Sequence, residues 1–449
     1  MKFTVERDAL AEAATWVARA LPTRPVIPVL AGLLLRAADD GLTLSCFDYE
    51  VSARMRIPAE VSEPGAVLVP GRLLVEITRS LPGWPVDFGP DPEGVSMTCG
   101  EAAFTLATLP PQEYPELPEL PQLAGTADGG TLAAAISQVA PAASRDDTLP
   151  MLTAVSLEMA EQMMTLAATD RYRLAVRDLG WTAAPGALDH GPISTLVPAR
   201  TLADAARMMT AGEQVRIFLR HGGDGPGTGS AASTGGAVPA GGAASASGAA
   251  SASGAGSAGD DAMIGFETGE RRLTTRLLAG EFVRYRSRFP AEFGCTAELP
   301  AEAFAEAVRR VSLVAERGTP VQLSFAPGRV TVGAATQGHA RARETVPADF
   351  TGNEPMIAFS PHYLLDGVIA AVGAQADVPG SARVRLQFTS ASRPAVITRG
   401  PAAHDCAPSD ADAYERPTGS GEAPDARGSG DAEEGNAFRY LVVPQRLPQ

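Results

Sequence analysis

Lysine is all but absent. Lys2 is the one lysine among 37 lysines and arginines, so nearly every positive charge is a guanidinium. Arginine forks phosphate better than lysine does, although a compositional bias accounts for the pattern equally well. Cysteine is scarce too: Cys46, Cys99, Cys295 and Cys406 lie far apart with no CxxC spacing. That argues against zinc ligation and supports no disulfide framework. The five histidines (His190, His221, His339, His362, His404) are scattered. No glycine-rich phosphate loop, G-x-S-x-G elbow or HExxH pair occurs. The expectation is a protein with no catalytic residues, no metal and no cofactor; the pair Asp146-Asp147 reads as solvated loop. A net charge of −15 and few aromatics disfavour a general nucleic-acid binder, but a local basic stripe stays open. The longest apolar run, Val26 to Leu35, is too short to span a bilayer. The charged amphipathic start has no apolar signal core. A cytoplasmic protein with no membrane partner is expected.

What is present is a pattern stated three times. Ile193 to Leu219 reads as strand, helix, strand. A β-branched run ends at Pro198, which suits a first helical turn. Leu202, Ala205, Ala206 and Met209 form one apolar helical face, and Gly212 stops the helix. Leu68 to Phe88 repeats this around Pro70, with Leu74, Ile77 and Leu81 inward. Ala358 to Phe388 repeats it around Pro361, with Leu365, Val368, Ile369 and Val372 inward. Upstream of each copy sits another helix of identical spacing: Leu10, Ala13, Ala14, Val17; Leu132, Ala135, Ile136, Val139; Phe304, Ala307, Val308, Val311. A repeat of about 125 residues, once an insertion is subtracted, is too long for a solenoid and means three related domains. Each holds two helices, the remainder being strands, an α+β class.

Domain boundaries fall at 1–123, 127–293 and 297–449. The proline-rich run Pro110 to Pro121 can be neither central strand nor helix and reads as a linker. Residues 222–259 are almost only Gly, Ala and Ser, unable to bury enough apolar surface to order themselves. Residues 401–436 carry nine acids against two arginines, a net −7, which leaves −8 for the rest of the chain. Both are read as inert insertions, a tethered interaction motif being the alternative.

Four stretches carry a resemblance: the opening MKFTVERDAL, Arg24-Pro25 followed by Ile27-Pro28-Val29-Leu30, Ala168 to Ala175 (ATDRYRLA), and Tyr440 to Leu447 (YLVVPQRL). Together, in order and at the right spacing, they resemble the beta subunit of bacterial DNA polymerase III, the sliding clamp family. The resemblance covers the chain outside the two insertions. It implies three copies of the DNA-clamp fold and a ring-shaped, head-to-tail homodimer around duplex DNA. The implied role is processivity, without catalysis, in the cytoplasm at the nucleoid. The implied partners are DNA, a second copy, the replicative polymerase alpha subunit, a clamp loader and repair polymerases, the proteins binding through short peptide motifs.

The resemblance also assigns sites. Arg24, Arg72 and the loop Arg145 to Met151 (including Asp146 and Pro150) match DNA-backbone positions. Arg79, Arg200, Arg207, Arg309 and Arg310 are further candidates on polar helix faces, ordinary solvated arginine being the alternative for each. The peptide cleft is assigned to Leu152, Thr169, Arg171, Tyr172, Arg173, Leu174, Val283, Tyr363, Pro394 and Leu441-Val442-Val443-Pro444-Gln445-Arg446-Leu447. For Leu174 and Leu441 the plain alternative is a core role. Glu101, Phe104 and Leu106 match one side of the dimer interface, with Val311, Leu313, Arg341 and Arg343 on the other.

The chain departs from the pattern. The family often has a small residue where Arg171 stands and Phe-Pro where Phe282-Val283 stands. Gln445 replaces an apolar residue, and Pro448-Gln449 extends past the usual last leucine. At the dimer face the rim charges are reversed, with Arg341 and Arg343 where acids are expected. Two alternatives follow. One is a specialised second clamp with altered partner or inhibitor binding, as in antibiotic self-resistance; the other is a monomeric decoy that captures peptides without encircling DNA.

Overall fold

In a computed structural model of the chain the described residues are 1–220, 262–316, 318–336, 340–353, 356–373, 382–401 and 437–446. The Gly/Ala/Ser segment, all but Pro401 of the acidic segment, Cys406 and Leu447 lie outside them. The chain packs as two compact units, Met1–Ala124 with Ile217–Glu281, and Gly125–Arg216 with Phe282–Gln449.

Six α-helices occur among the described residues: α1 Arg7–Val17, α2 Gly71–Ser80, α3 Gly129–Val139, α4 Ala199–Ala206, α5 Ala301–Ser312 and α6 Pro361–Val372. The spacing of the first helix of each repeat holds in full. Leu10, Ala13, Ala14 and Val17 are buried in α1, Leu132, Ala135, Ile136 and Val139 in α3, and Phe304, Ala307, Val308 and Val311 in α5. Helices pack in pairs, α1 on α2, α3 on α4 and α5 on α6, because each has one apolar stripe to remove from water.

In the first unit a five-stranded antiparallel sheet runs Glu60–Glu63, Lys2–Val5, Val86–Asp91, Gly94–Cys99, Ala102–Leu106. A second sheet orders Met263–Thr268, Arg271–Arg276, Val51–Ile57, Gly41–Phe47, Gly32–Ala38 and Gly65–Pro70. In the second unit nine antiparallel strands run Ile193–Pro198, Ala154–Ala160, Met163–Thr169, Arg173–Gly180, Phe438–Val442, Ala395–Arg399, Arg383–Phe388, Cys295–Pro300, Asp349–Thr351. Its fifth strand, Phe438–Val442, pairs with Arg173–Gly180 on one side and Ala395–Arg399 on the other. A further sheet orders Ala340–Pro347, Arg329–Thr336, Val321–Ala326 and Met356–Phe359.

Three expectations need correction. Helix α4 ends at Ala206, short of Met209. The N–H groups of Arg207, Met208 and Met209 reach back only three residues, to Asp204, Ala205 and Ala206. Met208 and Met209 are both buried; neighbours stand about 100° apart on a helix, and the tightened turn lets both face inward. Gly212 lies in the next turn at φ +81°. In α6 the buried face is Leu364, Gly367, Val368 and Ala371, so Leu365 and Val372 are half-buried and Ile369 is 52% exposed. The stripe centres on Gly367 because the Tyr440 ring presses there: a Cβ at 367 would stand 2.6 Å from Tyr440 Cδ1. Finally, the proline-rich run is no free linker. Tyr114 is buried among Val29, Leu34 and Leu68, and its oxygen accepts from the Phe47 N–H at 2.7 Å.

Candidate functional site

The turn 169–173 is the best-tied piece of backbone among the assigned positions. Thr169 Oγ1 accepts from the Arg171 N–H at 3.1 Å. Asp170 Oδ1 accepts from the N–H groups of Tyr172 (3.0 Å) and Arg173 (3.1 Å). Such local side-chain caps hold a chain reversal without a ladder. The turn leaves Arg171 and Tyr172 exposed and drives Arg173 inward.

Arg173 is a scaffold residue. Its Nε donates to Asp170 Oδ2 at 2.9 Å, one Nη donates to Asp366 and the other to the Pro141 carbonyl at 2.6 Å. Its Cζ sits 4.8 Å from the Tyr363 ring centroid. Burial opposes its charge, while the Tyr440 oxygen and the carboxylates of Asp366 and Asp170 favour it, and the net direction is upward. Tyr363 in turn stacks on Tyr172, centroids 6.1 Å apart. Its carbonyl accepts from Tyr440 Oη at 3.0 Å.

On the other face of the same strands, since successive residues alternate, lies an apolar floor of Ala167, Leu174, Val176 and Leu441. Register explains it: Leu174 faces Leu441 across the strand pair, and Leu441 faces Val396. The chain then continues over the turn, the Val443 N–H donating to the Tyr172 carbonyl at 2.9 Å and the Gln445 N–H to Ala358 at 2.8 Å. Phe282, Tyr285, Phe289 and Val443 pack on the floor from above. Tyr285 is held neutral by burial, then by the nearby Glu158 carboxylate, which push its phenol up.

The sequence-assigned residues divide accordingly. Tyr172 is 55% and Val283 40% exposed; Arg171 and Arg446 are exposed, and Tyr363, Pro394, Val443, Pro444 and Gln445 half-buried. Leu152, Thr169, Leu174, Leu441 and Val442 are buried, as the plain core alternative has it for Leu174 and Leu441. Sequence reasoning missed Asp366, Tyr440 and the strap residues Phe282, Tyr285 and Phe289. The strap had a signal, aromatic residues at 282, 285 and 289. Asp366 had none.

In the first unit, Arg24 stands exposed in the 22–28 turn beside Val26, which is 93% exposed. Arg72 joins it, Nη2 donating to the Pro22 carbonyl at 3.3 Å, and Arg79 Nε donates to Thr15 Oγ1 at 3.3 Å. In the second unit, Arg145 and Arg200 are exposed without a carboxylate partner among the described residues. Asp146 is a turn cap: it accepts from the Thr148 N–H (3.0 Å) and hydroxyl (2.7 Å), which hold its carboxyl below the usual range. Pro150 and Met151 open a short 3₁₀ turn. Arg310 is ion-paired with Glu306 and Glu344, and Arg207 with Asp204, so neither charge is free.

Of the interface positions, Glu101, Arg341 and Arg343 are exposed, Phe104 is half-buried and Leu313 is 84% exposed. Leu106 and Val311 are buried within their own units, and the Val311 carbonyl is taken up by the end of α5. Ala102–Leu106 and Ala340–Pro347 each end a sheet.

Elsewhere, a cavity of ≈650 Å³ lined by Thr126, Asp128, Glu161, Trp181 and Gln214 holds none of the assigned residues, and its Asp128 caps α3 through the Thr131 N–H. Cys46 is structural: burial pushes its thiol up to about 12, and Sγ donates to the Val17 carbonyl. No helix among the described residues is long and apolar enough to cross a membrane.

Comparison with known proteins matches three family descriptions in sequence. They are the N-terminal, central and C-terminal domains of the DNA polymerase III beta subunit, over residues 1–118, 126–283 and 286–409. The chain is 42% identical to the beta sliding clamp of Streptomyces coelicolor and 36% identical to the beta sliding clamp homolog GriR of Streptomyces muensis, each over the full length of both chains. The sliding clamp of Pseudomonas aeruginosa, solved bound to griselimycin, has the same fold: TM-score 0.74, 23% identity, full coverage of both chains.

Proposed function

The chain belongs to the DNA polymerase III beta subunit family, the sliding clamps, and from that premise we propose that two copies close head to tail around duplex DNA. The clamp is a processivity factor and has no catalysis of its own. The observation that carries the ring is that two of the sheet edges, Ala102–Leu106 and Ala340–Pro347, belong to different repeats and stand open. An edge strand presents unpaired N–H and C=O groups and calls for a cover. These two edges belong to different repeats, so pairing one with the other's counterpart is a heterologous contact, which closes when the rotation does. Leu313 supplies exposed apolar surface beside the second edge.

A closed ring is held by topology and needs only weak, delocalised contact with phosphates. The exposed Arg24, Arg72, Arg145 and Arg200 fit that need, Arg79 adding to them. The cleft assigned to Tyr172, Tyr363, Val283, Pro394 and Val443, at the end of the strands that carry the Leu174/Leu441 floor, is an apolar site of the kind that anchors peptide side chains. Its partners are the polymerase alpha subunit, the clamp loader and repair polymerases. A second reading, a specialised clamp whose cleft rejects a ligand such as griselimycin, draws on Arg171, Val283 and Gln445, where the cleft departs from the family pattern.

Light scattering at low micromolar concentration tests the ring. A mass of twice 46.4 kDa supports it; a monomer means that the edges do not pair, and the decoy reading takes over.

A further inference from the structure

We propose that the cleft selects peptides whose apolar anchors are flanked by acidic residues, with Arg171 as the specificity-determining residue. The inference rests on the peptide-cleft reading above. The strands Arg173–Gly180, Phe438–Val442 and Ala395–Arg399 are antiparallel neighbours, with Arg173 opposite Val442 and Val442 opposite Ala395. The start of the first, the end of the second and the start of the third therefore share one end of the sheet. Just beyond that end stand Arg171, Arg446 and Arg393, and the strap over the apolar floor adds Arg284. All four are exposed, and among the described residues none has a carboxylate within ion-pair distance.

The neighbouring acids are already engaged. Asp170 and Asp366 hold Arg173, Glu158 holds Arg286, and Asp146, which senses the charge of Arg171, is capped by Thr148. Glu281 on the strap and Asp147, next to Asp146, are exposed and have no ion pair among the described residues. The mouth is thus a cluster of free guanidinium groups around an apolar centre.

Arg171 adds an independent observation. Its φ is +79°, in the left-handed region that glycine enters freely and L side chains rarely do. The turn forces this geometry through Thr169 and Asp170, yet among the described residues the guanidinium gains no hydrogen bond or ion pair in return, only the nearby charge of Asp146. A side chain kept in a strained conformation without an ion pair or hydrogen bond among the described residues points to use by something outside. A carboxylate is the natural complement of a guanidinium fork, and the same charges repel peptides with basic flanks.

The test uses the full chain and fluorescence anisotropy with two labelled peptides. They share Leu and Phe anchors, one with Asp and Glu flanks and the other with the Asn and Gln equivalents. The acidic peptide is expected to bind about tenfold more tightly at low salt, and the difference to shrink at about 0.5 M salt. Arg171→Gly should remove most of the difference and leave the melting temperature equal or higher. Arg446→Gln, at a position with ordinary backbone, should reduce the ratio as well. Equal affinity for the two peptides, or a ratio untouched by both variants, overturns the proposal. Failure of the cleft reading looks different: neither peptide binds, or Tyr172→Ala weakens neither.

Discussion

The guanidinium of Arg173 lies over the ring of Tyr363 at 4.8 Å while its nitrogens bind Asp170, Asp366 and the Pro141 carbonyl. One buried cation therefore sets the position of an aromatic ring that the cleft exposes, and through it that of Tyr172.

Arg173→Met should be costly. It strands Asp170, whose side chain is 12% exposed, next to a half-exposed Asp366. Removing one partner of a buried pair costs about 3 kcal/mol. The urea midpoint of the second unit should fall accordingly, and peptide binding should weaken with it. Arg173→Lys keeps the charge but not the fork, and should recover only part of both. A variant as stable as the parent would contradict the scaffold role.

Gly367→Ala sets two effects against each other. Helix propensity favours alanine over glycine by about 1 kcal/mol. Against that, the new Cβ would stand 2.6 Å from the Tyr440 ring and 2.9 Å from Ile397 Cδ1, and overpacking of this kind costs about 1–3 kcal/mol. The clash should win because Tyr440 is itself anchored by its hydroxyl on Tyr363. A lower melting temperature is expected; a higher one would mean that the ring swings aside.

The salt dependence of DNA binding separates free arginines from engaged ones. Each phosphate contact contributes about 0.9 to the slope of log K against log salt. Arg24→Ala and Arg72→Ala should each lower the slope by about 1. Arg310→Ala should leave it unchanged, since Glu306 and Glu344 already hold that charge. Equal effects from all three would remove the distinction.

Edge charge should govern mixing. Glu101 flanks one open edge, and Arg341 and Arg343 lie on the other, which the family resemblance reads as the reverse of a conventional clamp. In a mixed pair, like charges would then meet at each junction. Native mass spectrometry of this chain with a conventional clamp should show homodimers alone; a heterodimer peak would end the idea.

Much of the fold is legible because the helix stripes are written in small apolar residues at fixed spacing. In α1, α3 and α5 every predicted inward residue is buried. In α6 the same logic points one residue away from the true face at Leu365, Ile369 and Val372, because the buried stripe runs through Gly367. Its depth is set by a ring 73 positions downstream, which no local pattern contains. Tyr114 is likewise hidden in a proline-rich run whose composition speaks for a linker. The cleft is half legible: Tyr172 and Val443 sit in recognisable stretches. The burial of Arg173 depends on Asp366, and the aromatic strap only makes sense once Phe438–Val442 is seen to pair between two repeats.

Encirclement is read directly from retention on closed DNA. The clamp is loaded onto a nicked circular plasmid with a clamp loader and ATP, then separated by gel filtration before and after the circle is cut once. The protein should stay with the circle in high salt and be lost on linearisation, because topology rather than affinity holds it. Equal retention on circular and linear DNA, or none on either, would contradict it.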